Sequence, residues 1–280
     1  MNRTMITATN TLSQLQKQMD IVSNNMANID TTGYKRREAS FTDLLFQQFN
    51  NQHNANAEGN RLTPNGIRQG VGAKLAQSKV VMSQGSIKNT DRALDTAFTK
   101  EGQYFRVLEQ SESGTAIRYT RDGAFYLSPL SDTETMLVTG NGYPVLDENN
   151  NPITINGQVN EYEITNNGRL IAKMENGGTS EFNLGVVQLN KPQFLEQKGG
   201  NLLGLPENMA ELNVQENEIM TELNGPMRNQ ISIQQRALEQ SNVDMSKEMT
   251  ELINLQRAYQ FQSRSVSIAD QMMGLVNGIR

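Results

Sequence analysis

The chain has 280 residues, 36% of them hydrophobic, and a formal net charge of −5, which allows one or two domains with a modest core. No block of Lys or Arg marks a nucleic-acid surface, and no run of about 18 apolar residues suggests membrane insertion. The absence of cysteine excludes disulfides, thiolate zinc sites and a cysteine nucleophile. The first residues also lack the basic and apolar regions of a cleaved signal peptide.

A cysteine-free composition fits two interpretations. One is an ordinary bacterial cytosolic protein. The other is a protein that passes unfolded through a narrow export channel, where a disulfide would block passage. Composition alone leaves both open.

The first thirty residues predict one amphipathic helix from near Thr4 to near Asn28. Apolar residues recur in steps of three and four, as in the seam of a coiled coil. This narrow seam has too little apolar surface to be buried by the helix itself, so it needs a partner. The seam residues are Met5, Ala8, Leu12, Leu15, Met19, Val22, Met26 and Ile29.

A turn is predicted after this helix, where Gly33 can adopt a positive φ. The next apolar residues, Phe41, Leu44, Leu45, Phe46 and Phe49, have helical spacing. Residues 47–72 are rich in Asn, Gln and Gly, which predicts a flexible loop or a segment that orders against a neighbouring subunit. The only histidine, His53, lies in this segment and is interpreted as a surface residue.

From about Lys74 to Asn190 the pattern predicts antiparallel β-structure without intervening long helices. Two hairpins are predicted, one at Arg121-Asp122-Gly123 and one at Asn166-Asn167-Gly168. A single last strand is predicted over Phe182 to Leu189. A Gly-Gly turn follows at Gly199 and Gly200.

The region from Leu202 to Glu222 is ambiguous, whereas Ile231 and Ile233 alternate with polar residues and predict one more strand. A final helix should begin after Asp244, a suitable N-cap, and extend nearly to Arg280. Its seam, interrupted by one polar residue, comprises Leu252, Leu255, Tyr259, Gln262, Val266, Ala269, Met273 and Val276.

The predicted fold class is therefore α+β, with N- and C-terminal helices and a central antiparallel β domain. The helices either pack on one globular core or pair with each other as a coiled coil that neighbouring copies complete. The predicted division is 1–35 for the first helix and turn, 36–73 for the polar segment, 74–230 for the β domain and 231–280 for the last strand and helix.

The sequence does not match the motifs of known metal, dinucleotide or catalytic sites. Asp147 opens an apparent calcium loop, but Pro152 and Gln158 stand where Gly and a bidentate Glu are required. The glycines at 66, 70 and 72 lack dinucleotide-binding spacing. A Ser-His-Asp triad would have to use His53. We therefore expect no catalytic residue, no cofactor and no metal.

Five stretches follow one another in a characteristic order along the chain. They are SNNMANIDTTGYKR at 23–36, YTRDGAFYL at 119–127, VTGNGYPV at 138–145, FLEQKGGNLL at 194–203 and LEQSNVDMSKEMTELINLQRAYQFQ at 238–262. Together they resemble the bacterial flagellar basal-body rod and hook protein family. The chain length is similar to that of rod subunits, whereas hook subunits are usually longer.

The resemblance implies a structural subunit that is exported by the flagellar type III apparatus and stacks helically with itself and with neighbouring axial proteins. The resulting hollow drive shaft, in the basal body, transmits torque to the hook. It also implies helices that fold on assembly. A hook subunit and an export-linked cytoplasmic adaptor are the alternatives.

The residues expected to carry assembly form three sets. Leu12, Leu15, Met19, Val22, Leu252 and Leu255 lie in the helix seams. The exit from the first helix is assigned to Asn24, Asn25, Asn28, Thr31, Gly33 and Lys35. The entry and seam of the last helix are assigned to Asn242, Asp244, Gln256, Arg257 and Tyr259.

Overall fold

A computed structural model describes residues 2–43, 46–49, 67–70, 73–111, 114–131, 133–175, 177–199, 201–206, 209 and 214–278. The chain divides into two compact units. Unit 1 comprises residues 1–26, 37–79 and 245–280, and unit 2 comprises residues 27–36 and 80–244. The predicted four-part division is a different partition and stays a prediction. His53, Leu44 and Leu45 lie outside the described residues.

Unit 1 contains the two long helices and two short strand pairs. Helix α1 spans Asn2–Ala27 and continues by one residue into unit 2, and the last helix, called α3 here, spans Met245–Gly278. The strands are β1 (Arg37–Asp43), β2 (Phe46–Phe49), β3 (Ile67–Gly70) and β4 (Ala73–Val80). Strand β1 pairs with β4, and β2 pairs with β3.

The helical spacing of the apolar residues from Phe41 to Phe49 is misleading, because Phe41 lies in β1 and Phe46 and Phe49 lie in β2. Phe46 and Phe49 lie opposite Gly70 and Ile67 in an antiparallel ladder. Backbone pairing with a segment some twenty residues away satisfies their amides, and such pairing outweighs a short apolar period.

The predicted seams lie on the less exposed faces of both helices. Ala8, Val22 and Leu255 are buried, and the other seam residues are half-buried, except Val276, which is exposed. Gln18 Nε2 donates to Glu251 Oε1 at 3.0 Å, and Asn25 Nδ2 donates to Glu248 Oε2 at 3.0 Å. The order of these contacts is that of helices running antiparallel. Coiled-coil packing along the whole seam stays a prediction.

Unit 2 is built on antiparallel strands, as predicted. A six-stranded sheet has the order β16-β17-β8-β7-β15-β18, and two three-stranded sheets have the orders β11-β10-β9 and β12-β13-β14. Strand β19 pairs with β6, and β20 pairs with β5. A four-residue helix, α2 (Glu216–Ile219), precedes β18.

The strands of unit 2 are numbered in chain order after those of unit 1. They are β5 (Ile87–Asn89), β6 (Thr96–Phe98), β7 (Gln103–Ser111), β8 (Gly114–Thr120), β9 (Phe125–Pro129), β10 (Glu134–Thr139), β11 (Thr154–Asn156), β12 (Val159–Ile164), β13 (Arg169–Met174), β14 (Thr179–Asn183), β15 (Val186–Leu189), β16 (Glu196–Gly199), β17 (Leu202–Gly204), β18 (Met220–Glu222), β19 (Ile233–Gln235) and β20 (Ala237–Glu239).

The core of unit 2 lies around β7, whose residues 103–107 are all buried, as expected for a strand covered on both faces. Phe105 packs on Phe98 and Phe125, with ring centroids 4.2 and 5.0 Å apart. These contacts join β6, β7 and β9, which belong to three different sheets.

One predicted hairpin is confirmed and one is wrong. Strands β12 and β13 pair across the turn at Gly168, whose φ is +76°. Strands β8 and β9, however, do not pair, because β8 lies between β7 and β17 while β9 pairs with β10. The Arg121–Gly123 segment is a crossing between sheets.

The predicted single strand from Phe182 to Leu189 is two strands in different sheets, β14 and β15. They separate at Gly185, where a Cβ atom would lie 2.6 Å from the Asp147 carbonyl oxygen and 2.7 Å from Arg106 Nε. The chain changes sheets where only a glycine fits. The strand predicted at Ile231 and Ile233 is confirmed for Ile233, which begins β19, whereas Ile231 ends the preceding 3-10 turn.

Candidate functional site

Four chain segments of unit 2 meet next to the residues that lead to the two long helices. They are residues 32–36, 81–86, 121–123 and 239–242. Backbone hydrogen bonds join them: Gly33 N–H donates to Glu239 O and Gln240 N–H to Ser86 O, each at 2.8 Å. We call this meeting point the junction.

Glu239 occupies the centre of the junction. Its Oε1 accepts from Lys35 Nζ at 2.5 Å and from Gly85 N–H at 3.0 Å, and its Oε2 accepts from Arg121 Nε at 2.6 Å. The three charged side chains are between 1% and 5% exposed. One carboxylate therefore neutralises two cations that come from distant parts of the chain.

Both cations also donate to backbone oxygens. Arg121 donates to the backbone oxygens of Gln103 at 2.6 Å and Lys100 at 2.9 Å, and its guanidinium lies 5.1 Å from the Phe98 ring centroid. Lys35 Nζ donates to Ser83 O at 2.8 Å. Hydrogen bonds of this kind lower the free-energy cost of burying charged side chains.

The charge balance of the cluster explains its pKa shifts. Burial by itself would raise the pKa of Glu239, but Arg121 and Lys35 together outweigh burial and hold that pKa below its usual value. Burial lowers the pKa of Lys35, and the attraction of Glu239, which is shared with Arg121, does not compensate. The carboxylate is stabilised in its ionised form, whereas the amine is not.

Asn242 ties the segments on either side of the junction together. Its Oδ1 accepts from Arg36 N–H at 2.7 Å, and its Nδ2 donates to the carbonyl oxygens of Val81 at 3.0 Å and Ser83 at 2.9 Å. The Val81 N–H donates to Arg36 O at 2.8 Å. The Asn242 side chain thus pairs with backbone N–H and C=O groups, as a neighbouring strand would.

Three glycines allow the backbones to touch. Gly33 has φ +67°, and a Cβ there would lie 2.6 Å from the carbonyl carbon of Arg121. A Cβ at Gly85 would lie 1.9 Å from Gln240 O, and one at Gly123 would lie 1.9 Å from Thr96 O. No side chain fits at these contacts without movement of the backbone.

Thr32 and Asp122 close one side of the junction. Thr32 Oγ1 donates to Asp122 Oδ1 at 2.7 Å, and Asn201 Nδ2 donates to Thr32 O at 2.8 Å. Burial raises the pKa of Asp122. The Asp122 carboxylate also accepts from Ala124 N–H at 3.1 Å.

Unit 1 has a separate buried polar cluster around Asn25. Asn25 Oδ1 accepts from Arg37 N–H at 3.0 Å, and Asn25 Nδ2 donates to Arg37 O at 2.9 Å and to Glu248 Oε2 at 3.0 Å. Asn25 and Glu248 are each 1% exposed. A single amide therefore connects α1, β1 and α3.

The predicted assembly residues have different positions. Gly33, Lys35 and Asn242 meet in the junction, while Asn28 accepts a hydrogen bond from Thr31 Oγ1 at 3.1 Å in the turn after α1. Asp244 directly precedes α3, where the N-cap was expected. Asn24, Gln256 and Arg257 are exposed, and Tyr259 is half-buried. Their roles stay predictions.

Sequence reasoning missed Glu239, Arg121 and Glu248. Glu239 and Arg121 lie inside two of the stretches that carry the family resemblance, but the β-turn pattern explained Arg121 and nothing singled out Glu239. The available signal was a charge inside a short apolar strand, as in Ala237–Glu239. Such a charge needs a buried partner.

The segment that begins at Asp147, which resembles a calcium loop, forms a polar turn. Asp147 Oδ1 accepts from the N–H groups of Asn149 and Asn151, each at 2.8 Å. Among the described residues, His, Asp and Glu form no group of three placed to hold a metal ion. None of the described helices is long and apolar enough to cross a membrane.

The described residues thus combine buried ion pairs that hold distant chain segments with two long helices. Three family models match the chain: "Flagella basal body rod protein" over residues 5–35, "Flagellar hook protein FlgE/F/G D1 domain" over 101–172 and "Flagellar basal body rod FlgEFG protein C-terminal" over 234–279. These descriptions are of rod and hook proteins and name no enzymatic activity.

Full-length relatives agree with the family models. The flagellar hook-basal body complex protein FlhP of Bacillus subtilis is 46% identical over 100% of both chains. The flagellar basal-body rod proteins FlgG of Buchnera aphidicola subsp. Schizaphis graminum and of Agrobacterium fabrum are 34% and 31% identical, over 94% and 98% of both chains. The chain belongs to the flagellar basal-body rod and hook protein family.

Proposed function

We propose that this chain is a structural subunit of the bacterial flagellar rod, which assembles helically into a hollow shaft and transmits torque to the hook. Full-length similarity to proteins named as basal-body rod proteins supports the rod. The subunit would reach the basal body through the flagellar type III export apparatus and would contact copies of itself and other axial proteins.

The observation that supports self-assembly is an exposed apolar stripe on α3. Phe261, Ile268 and Leu275 recur every seven residues and are 73%, 56% and 68% exposed. Met272 lies beside them and is 47% exposed. Around the helix axis these residues lie roughly 120° from the predicted seam, on a separate face.

An exposed stripe of this kind is costly in an isolated protein and is expected to mark an interface. The seam face of α3 is already half-buried, so the stripe offers a second apolar face to a partner. A neighbouring copy that presents its own helices would cover it. Repetition of such a head-to-tail contact generates an open helical filament.

The test is to replace Phe261 or Leu275 by Ser in the native gene. We expect loss of motility and loss of the subunit from purified basal bodies. Gln260→Ser is the matched control, because Gln260 is an exposed neighbour on the same helix. Normal swimming by both apolar-stripe variants would contradict assembly through α3.

Fractionation separates this function from that of a cytoplasmic adaptor. A rod subunit is expected in detergent-washed basal bodies. Recovery of the wild-type chain from the soluble pool alone would favour the adaptor.

A further inference from the structure

The junction brings together segments that are far apart in sequence. Lys35 precedes Glu239 by 204 positions, and Arg121 precedes it by 118. One of these segments follows α1 in the chain, and another precedes α3. Their docking on unit 2 uses the same carboxylate.

We propose that Lys35, Arg121 and Glu239 form a latch that makes the docking of residues 29–36 and of residues 237–242 mutually dependent. Each segment supplies what the other lacks. Lys35 would be a buried ammonium without Glu239, and Glu239 would have one cation fewer without Lys35.

The backbone contacts reinforce this dependence. The Gly33 N–H donates to Glu239 O, and the Gly33 Cα faces the Arg121 backbone with no room for a Cβ. The Gln240 N–H donates to Ser86 O, while Gly85 donates to the Glu239 carboxylate. Undocking of residues 29–36 would therefore open a space beside Glu239 that water enters.

Water at this site weakens the remaining Arg121–Glu239 pair, because charge interactions fall as the local dielectric rises. The two segments are consequently expected to open together, as one local unfolding unit, while β7 and its neighbours stay closed. If the chain folds as it emerges with its N-terminus first, the latch can form only after residue 239 has emerged and can dock.

Hydrogen–deuterium exchange of the full-length chain tests the latch. In Lys35→Met, exchange at the Gln240 amide should rise by about tenfold or more, together with that at Gly33, since a hydrogen bond to a charged group stabilises by at least that factor. The Arg106 amide, which donates to Gly185 O in the sheet core, should exchange as in the wild type.

Lys173→Met is the matched control. It removes the same charge from an exposed ion pair with Glu161 and Glu163 on β12. No change is expected at Gly33 or Gln240.

Two outcomes would overturn the proposal. If Lys35→Met accelerates exchange only within residues 29–36, the segments dock independently. If the Arg106 amide accelerates by the same factor as Gln240, the cluster is an ordinary part of the core.

Glu239→Gln gives a second test, because it leaves two buried cations without a counter-charge. It should accelerate exchange in both segments more than Lys35→Met does. An equal or smaller effect would show that Glu239 is not the centre of the latch. If Glu239→Gln does not fold, Lys35→Met still decides, since it retains the Arg121–Glu239 pair.

Discussion

Lys35 Nζ lies 2.5 Å from Glu239 Oε1, although 204 positions separate the two residues along the chain. This pair is the shortest link between the segment that follows the first helix and the segment that precedes the last. Both side chains are almost fully buried. The family resemblance contains both residues but does not indicate that they touch.

Acidification should destabilise the wild-type chain through Glu239. Its pKa in the folded protein is lowered, so its contribution is fully present above its ordinary value of 4.5 and is lost as pH falls through the folded value. At neutral pH, Glu239→Gln should reduce the free energy of unfolding by about 3–5 kcal/mol, because two buried cations lose their partner.

The measurement is urea unfolding of both proteins from pH 7 downward. Asp122, whose pKa is raised, contributes with the opposite sign but is present in both chains, so it cancels in the difference. The difference should shrink below pH 4.5, the ordinary pKa of Glu239. A difference independent of pH would contradict the role given to the ionised carboxylate.

Gly33→Ala should destabilise unit 2 more than Gly177→Ala does. Both glycines have positive φ, at +67° and +79°, so both substitutions carry backbone strain of about 1–2 kcal/mol. Only at Gly33 would the new Cβ overlap the Arg121 backbone, at 2.6 Å, whereas nothing lies within 4 Å of Gly177. We expect an additional loss of about 1–3 kcal/mol, measured by chemical denaturation. Equal losses would mean that residues 29–36 can shift without cost.

Leu15→Asp and Leu255→Asp should each abolish motility and incorporation into basal bodies. Leu255 is 7% exposed, and its replacement removes about 2–5 kcal/mol of apolar packing and adds a charge. The central β domain should keep its thermal transition, because its core contains neither residue. Asn254→Asp, at an exposed neighbouring position to which no assembly role is assigned, is the control. A seam variant that swims normally would refute this prediction.

Asn25→Ala should weaken unit 1, whereas Asn24→Ala should not. The Asn25 amide makes three hydrogen bonds in a buried site, and their loss should cost about 1–3 kcal/mol. Asn24 is exposed, so its replacement should stay within about 0.5 kcal/mol. Far-UV circular dichroism during thermal unfolding of the two variants provides the comparison. Identical melting curves for the two variants would contradict the stabilising role given to Asn25 in unit 1.

The periodic parts of the chain could be predicted from sequence. Steps of three and four residues predicted α1 and α3 to within a few residues of their observed ends, and alternation predicted β19. The turn at Gly168 was also predicted, because its strands pair locally. In each case the signal and the structure span the same short range.

Only the tertiary structure decided the features that depend on distant partners. Arg121-Asp122-Gly123 resembles a hairpin turn, but Glu239, Thr32 and Thr96 bind it more than 20 positions away in the chain. Residues 182–189 resemble one strand, but the chain changes sheets at Gly185. The local sequence pattern indicates which secondary structure a segment can form. The buried charge pairs determine which distant segment it contacts. The physical reason is that a buried charge must find its counter-charge wherever the fold places it.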